Sequence, residues 1–191
     1  MTPADYDLIG TQMPWWLVIS CRNRWYLKNF VECGAGYRYT SAVACGHFKN
    51  VWSVEMDQAV FDQQVAELKA SPNATRLRGS TLDHLPSLAS SVQGPTLWYL
   101  DSHWPGLGPK LGPECPLLDE IDILAKRLTI VNDVILIDNA GLFFHSPPPP
   151  HEPDQWPTIV EVATHLQTTR LLMSYLADVI IATPDRLLGD L

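Results

Sequence analysis

Apolar and polar positions along this chain fall into blocks that predict strands separated by helices. Short runs rich in β-branched and aromatic residues stop at an acid or a turn: Phe30-Val31 before Glu32, Asn50-Val-Trp-Ser-Val-Glu55, Thr75-Arg-Leu-Arg78, Thr96-Leu-Trp-Tyr-Leu100 and Asp133-Val-Ile-Leu-Ile137. A run that is apolar throughout, such as Thr96 to Leu100, suits a strand covered on both faces of a parallel sheet. The stretches between carry helical spacing. Thr40-Ser-Ala-Val-Ala44 starts a helix that Gly46 stops, and Phe61, Val65 and Leu68 mark a second, ended by Pro72-Asn73. Leu82, Leu85 and Leu88 mark a third. Glu114-Cys115-Pro116 opens a fourth, with Leu117, Ile121 and Leu124 as its buried stripe and Asp119, Glu120 and Asp122 facing solvent. A fifth starts in Pro157 to Leu166. Arg170 to Tyr175 and Val179 to Thr183, separated by three residues, read as a closing β-hairpin. Met13 to Ile19 is an aromatic, apolar run without periodicity and is read as core packing.

Alternation of this kind predicts an α/β fold, and open α/β sheets bind ligands at the carboxyl ends of their strands. Candidate chemistry is therefore sought there. The first strand ends in Glu32-Cys-Gly-Ala-Gly36, a strand, tight turn and helix start in which Gly34, Ala35 and Gly36 bring backbone close to a ligand. Position 39 is Tyr where the dinucleotide fingerprint needs a third glycine, so that fingerprint is absent. Glu55 and Met56 follow the second strand, and a carboxylate there can accept hydrogen bonds from two vicinal hydroxyls. Gly79-Ser80-Thr81 follow the third. Asp101-Ser-His-Trp104 follow the fourth and Asp138-Asn139 the fifth. Pro105 to Pro113 holds three glycines and three prolines in nine residues, which makes it a loop beside the site rather than a helix. Gly141 to Pro157, with a four-proline run, is a second loop at the same end.

The order Glu32, Gly34, Gly36, Glu55, Asp101, Asp138-Asn139 and a final hairpin resembles the class I S-adenosylmethionine-dependent methyltransferases from residue 29 onward. The resemblance implies a Rossmann-like methyltransferase fold: a mostly parallel seven-stranded sheet with a C-terminal antiparallel hairpin and helices on both faces. Residues 1–28 are then an N-terminal extension packing on the domain, and 29–191 the methyltransferase-like domain. Glu32, Gly34, Ala35, Gly36, Glu55, Met56, Ser80, Thr81 and Asp101 would contact S-adenosylmethionine, with Ser80 where many members carry an acid for the adenine amino group. Leu100-Asp-Ser-His-Trp104 and Leu136-Ile-Asp-Asn139 resemble the metal-ligand segments of catechol O-methyltransferase and its caffeoyl-CoA relatives, which implies Mg²⁺ on Asp101, Asp138 and Asn139. Oxygen ligands of this kind suit a hard cation that lowers the pKa of a bound hydroxyl. The lysine base of those enzymes has no aligned equivalent, and His103 and Lys110 are the substitutes beside Asp101. For His103 the alternative is a hydrogen-bonded structural role, and for Asp138-Asn139 an ordinary turn.

Composition narrows the partners. At 191 residues and 21.4 kDa, with 46% hydrophobic residues, the chain can bury a sizeable core as one domain. A net charge of −8 argues against a nucleic-acid or anionic-membrane surface, and the small cluster Arg22, Arg24 and Lys28 reads as a solvated helix face. Cysteines 21, 33, 45 and 115 form no C-x-x-C pair and read as free thiols of a reducing compartment. With no signal-like or spanning stretch, the expectation is a cytoplasmic enzyme acting on a small-molecule acceptor, and an exposed Trp15-Trp16 surface would point to a homodimer. Two other classes stand beside O-methylation with cation assistance. One is a binding protein that keeps the cofactor pocket without catalysis; the other is a metal-dependent hydroxylase or hydrolase using Asp101, His103 and Asp138.

Overall fold

Strands form where the apolar runs fall, and their order decides where a ligand can sit. The computed structural model describes residues 13–36, 40–106, 108–127 and 132–184. Within them β1 (Asn29–Cys33), β2 (Asn50–Glu55), β3 (Ala74–Arg78), β4 (Thr96–Leu100), β5 (Val134–Ile137), β6 (Leu171–Leu176) and β7 (Val179–Pro184) make one sheet in the order β3-β2-β1-β4-β5-β7-β6. β1 to β5 run parallel, and β7 is antiparallel to both β5 and β6. The expected seven-stranded, mostly parallel sheet with an antiparallel C-terminal pair is therefore present. The last strand does not extend the edge: β7 inserts beside β5 and leaves β6 outermost.

Helices α1 (Trp15–Trp25), α2 (Thr40–Cys45), α3 (Gln58–Glu67), α4 (Thr81–Ser91), α5 (Leu117–Ala125), α6 (Gly141–Phe144) and α7 (Ile159–Thr168) fill the connections. Every residue of β1, β4 and β5 is buried, which requires cover on both faces. Alternate side chains go to opposite cores. Val31, Trp98, Leu100 and Ile135 pack with Leu85 and Leu88 of α4, Ile121 of α5 and Leu166 of α7. Phe30, Leu97, Tyr99 and Leu136 pack on the other side with Trp15 and Val18 of α1 and Ala44 of α2. The connections after β1 and β4 thus leave on opposite faces of neighbouring strands, which opens a crevice at the carboxyl ends of the sheet. The opposite end is closed by a buried ion pair. Arg127 Nε lies 2.5 Å from Asp133 Oδ2, and the same guanidinium donates to the carbonyls of Ala89 and Val92 at the end of α4.

Three sequence expectations change. Trp15 and Trp16 do not form an exposed pair, because the turn of α1 sends Trp15 into the core at 1% exposure and leaves Trp16 at 39%. On α3 the buried positions are Val60 and Gln64, followed by Leu68, rather than Phe61 and Val65; Val65 is 39% exposed. Gln64 turns inward because it has polar partners there, donating to the Gly36 carbonyl and meeting the Ser53 hydroxyl. Glu120 does not face solvent. It sits three residues after Leu117 and four before Leu124, on the apolar stripe of α5 itself, and is 1% exposed. The bulky Tyr37-Arg38-Tyr39 lies outside the described residues.

Candidate active site

The glycine turn after β1 is shaped by how closely the end of β4 approaches it. A Cβ on Gly34 would stand 2.3 Å from the Asp101 carbonyl oxygen, and its φ of +81° suits glycine. Gly34 N–H donates to the Val54 carbonyl at 3.1 Å, and Asp101 N–H to the Cys33 carbonyl at 2.8 Å, so three strand ends are tied at one point. Glu55 closes the turn from β2. Its carboxylate accepts from Gly36 N–H at 2.9 Å and from Asp57 N–H at 2.7 Å, and a carboxylate has acceptor sites left for a ligand.

Beyond β3, Ser80 caps α4 by accepting from Leu82 N–H at 3.2 Å, as its residue type and place predict. The next residue, Thr81, is buried, and its hydroxyl donates to Oε1 of Glu120 at 2.5 Å. Ser102, beyond β4, donates to that same oxygen at 2.5 Å. Asp101 and His103 flank Ser102. His103 Nε2 lies 3.6 Å from Asp101 Oδ1, longer than a hydrogen bond, and the ring packs against Trp156 at 5.2 Å between centroids.

These strand ends border one cleft of about 750 Å³. Of the expected residues, Gly34, Gly36, Glu55, Met56, Ser80, Thr81, Asp101, His103, Lys110 and Asn139 line it. Glu32, Ala35 and Asp138 do not. Ala35 is 1% exposed, with only its glycine neighbours facing the cleft. Glu32 lies beneath the turn on the α2 side, where it accepts from the Ser41 and Ser53 hydroxyls. Burial pushes its carboxyl up to about 8, against the hydroxyls that pull it down. Asp138 accepts from the Tyr99 hydroxyl at 2.5 Å, toward the core that holds α1.

Lys110 is not free to act as a base. Its ammonium lies 2.8 Å from Glu152 and 3.2 Å from Glu114, and the hydrogen bond it donates to Glu152 leads the effects that raise its pKa. Glu114 is fully buried and joins the two loops at this end of the sheet. Its Oε2 accepts from the Trp156 indole at 2.8 Å and from Glu152 N–H at 3.0 Å, with His151 Nδ1 at 3.4 Å. Burial pulls this carboxyl up, but the Trp156, Glu152 and Lys110 donors outweigh it and hold it at about 2. The sequence reading missed Glu114, Glu120 and Trp156 as a group. For Glu120 a signal existed, since it completes the i, i+3, i+4, i+7 spacing of Leu117, Ile121 and Leu124.

Of the set expected for a cation, Asp101 and Asn139 line the cleft and Asp138 does not. Asp138 Oδ2 is engaged by the Tyr99 hydroxyl beneath the cleft, which leaves Asp101 as the carboxylate of that set that faces the cleft. Among the described residues no three His, Cys, Asp or Glu side chains are arranged to hold a metal ion, and no helix is long and apolar enough to cross a membrane.

No protein-family model matches the chain, and no curated protein matches it in sequence. Solved structures match it in fold. A Staphylococcus aureus protein assigned as a caffeoyl-CoA O-methyltransferase gives a TM-score of 0.61 at 12% identity, over 87% of this chain and 80% of that one. The precorrin-6y C5,15-methyltransferase of Geobacter metallireducens GS-15 gives 0.57 at 12% identity, over 86% and 83%. The O-methyltransferase NcsB1 of neocarzinostatin biosynthesis, solved with S-adenosyl-L-homocysteine and 1,4-dihydroxy-2-naphthoic acid, gives 0.54 at 12% identity, over 87% of this chain and 52% of its own. At these identities the likeness is one of architecture, and the chain has the Rossmann-like fold of class I S-adenosylmethionine-dependent methyltransferases.

Proposed function

We propose that this protein is an S-adenosylmethionine-dependent methyltransferase acting on an oxygen of a small-molecule acceptor. The observation that carries the reading is the single cleft that gathers the glycine turn, Glu55, Ser80, Asp101 and His103 from four strand ends. Two of the structures it resembles are described as O-methyltransferases, and one of these holds a dihydroxynaphthoic acid, which supports a hydroxyl-bearing acceptor. When bound, the cofactor supplies a methyl group already activated by its sulfonium.

The chain's own residues do the rest. Gly34 and Gly36 let backbone meet the cofactor, and Glu55 accepts hydrogen bonds from vicinal hydroxyls. Ser80 offers a neutral hydroxyl on the adenine side, a weaker partner than an acid. His103 takes the acceptor's proton, and the Asp101 carboxylate beside it stabilises the positive charge that the ring gains. The pairing of Lys110 with two carboxylates favours His103 over Lys110 as the base. No step is routed through a divalent cation, because Asp138 of the set expected for Mg²⁺ does not line the cleft.

The alternative is a binding protein that holds the cofactor without turnover. The departures at Ser80 and Lys110 favour it, and turnover of any hydroxyl-bearing acceptor would end it. Titration calorimetry with S-adenosylhomocysteine, with and without Mg²⁺, tests the main reading. Micromolar binding is expected, weakened about 10- to 100-fold in Glu55→Ala, the range for hydrogen bonds to a charged group. No binding under either condition would remove the reading.

A further inference from the structure

Glu120 is buried, and no step above uses it. Its Oε1 accepts two hydroxyl donors that come from opposite sides of the cleft. Thr81 opens α4 just after the β3 loop, and Ser102 lies between Asp101 and His103 after β4. In the sheet, β3 and β4 are separated by β2 and β1, about 14 Å at the usual strand spacing. One carboxylate oxygen therefore joins two loops whose strands are not neighbours. α5 brings it there, because Leu117, Ile121 and Leu124 seat the helix in the same core as α4.

The surroundings of Glu120 make these bonds matter. Burial pushes its carboxyl up, and the Ser102 and Thr81 hydroxyls are the main groups pulling it back. It also borders a small cavity of about 10 Å³, shared with Ser102, His103 and Cys115. That is room for about one water molecule among polar partners. Loss of the carboxylate would leave the buried Thr81 hydroxyl and the part-buried Ser102 hydroxyl without their acceptor, one on each side of the cleft.

We infer that Glu120 is a positioning residue: through one oxygen it locks the Gly79-Ser80-Thr81 loop to the Asp101-Ser102-His103 loop, so that cofactor seated against the first fixes the base on the second. What the lock accomplishes rests on the proposed function; whether it exists does not. The carboxylate itself does not line the cleft.

The test uses Glu120→Ala, Glu120→Gln, Thr81→Val and Ser102→Ala, read by amide hydrogen exchange in the ligand-free protein, S-adenosylhomocysteine affinity and the split of kcat from acceptor KM. Glu120→Ala is expected to speed exchange in both loops together, to weaken S-adenosylhomocysteine by about tenfold and to lower kcat with little change in acceptor KM. Glu120→Gln keeps one acceptor oxygen and the side-chain shape, and is expected to restore all three to within about twofold. Thr81→Val is expected to speed exchange around Ser102 and His103 as well as in its own loop. Should Glu120→Ala fail to fold, the two single-hydroxyl variants carry the test. Exchange at 101–103 that ignores Thr81→Val, or a Glu120→Gln protein as loose as Glu120→Ala, would overturn the lock. A wild-type protein that binds no S-adenosylhomocysteine yet shows the coupled exchange would overturn the proposed function and leave the lock standing.

Discussion

At the glycine turn the cleft is held mainly by backbone, whereas the loops beyond β4 and β5 are held by side chains. On the first, strand ends meet directly: Gly34 and Asp101 touch main chain to main chain, and Glu55 braces Gly36 through its amide. On the second, side chains join two irregular loops: Glu114 accepts from the Trp156 indole, the Glu152 amide and Lys110, and Lys110 also donates to Glu152. Each side buries a glutamate, and the two are shifted in opposite directions. Glu32 meets neutral hydroxyls and is pushed up to about 8, while Glu114 meets N–H donors and an ammonium and is held at about 2. Burial is common to both. The donors decide the direction.

The largest effect is expected from Gly34→Ala. A Cβ 2.3 Å from the Asp101 carbonyl oxygen cannot be relieved by rotating a side chain, and the positive φ adds strain. The expected cost is about 4 kcal/mol or more, seen as a fall of about 10 °C or more in Tm. Gly36→Ala is the control, since among the described residues its Cβ would meet nothing within 4 Å. It should lose only about 1–2 kcal/mol from the left-handed conformation. A Gly34→Ala protein as stable as the Gly36→Ala control would break the claim that main-chain contact builds this side.

Next in size is the pH dependence, where the two glutamates should act on opposite limbs. Glu32 has a folded value near 8, above its ordinary 4.5. Its contribution is present below pH 4.5 and is lost as pH rises toward 8, with a slope of at most about 1.4 kcal/mol per pH unit for one proton. Glu114, folded near 2, contributes above 4.5, and that contribution is lost as pH falls toward 2. Urea midpoints measured across this range should show Glu32→Gln flattening the alkaline limb and Glu114→Gln the acid one. The reverse assignment would invert the comparison. The smallest effect is expected from Ser80→Asp. An aspartate caps a helix as well as serine does, so stability should hold. Its charge should tighten S-adenosylhomocysteine by about two- to tenfold if adenine meets this loop; unchanged affinity in calorimetry would move the adenine elsewhere.

Legibility in the sequence follows the same division. Strand ends were readable because a strand announces itself over a few adjacent residues, and the acid or glycine that stops it is the next letter. Glu55, Asp101 and His103 reached the cleft on that logic. Asp138 shows its limit. The residue was placed at the right strand end, but its side chain follows the alternation of β5 and the reach of Tyr99 from β4, a contact across 39 positions. Glu120 shows the limit from the other direction. Its spacing put it on the apolar stripe, yet an acid there reads as solvated until Thr81 and Ser102 arrive to bond it.

By itself, then, the chain's order of apolar runs, glycines and acids determined the α/β class, the closing antiparallel pair and the set of strand ends that line the cleft. These depend on local periodicity and local backbone freedom, which neighbouring residues carry. Tertiary structure alone decided that β7 inserts beside β5, that Lys110 is paired and Asp138 turned away, and that Glu114 and Glu120 are buried hubs. A buried polar side chain takes its state from the partners that desolvate or hydrogen-bond it, and here those partners lie up to 42 positions away along the chain.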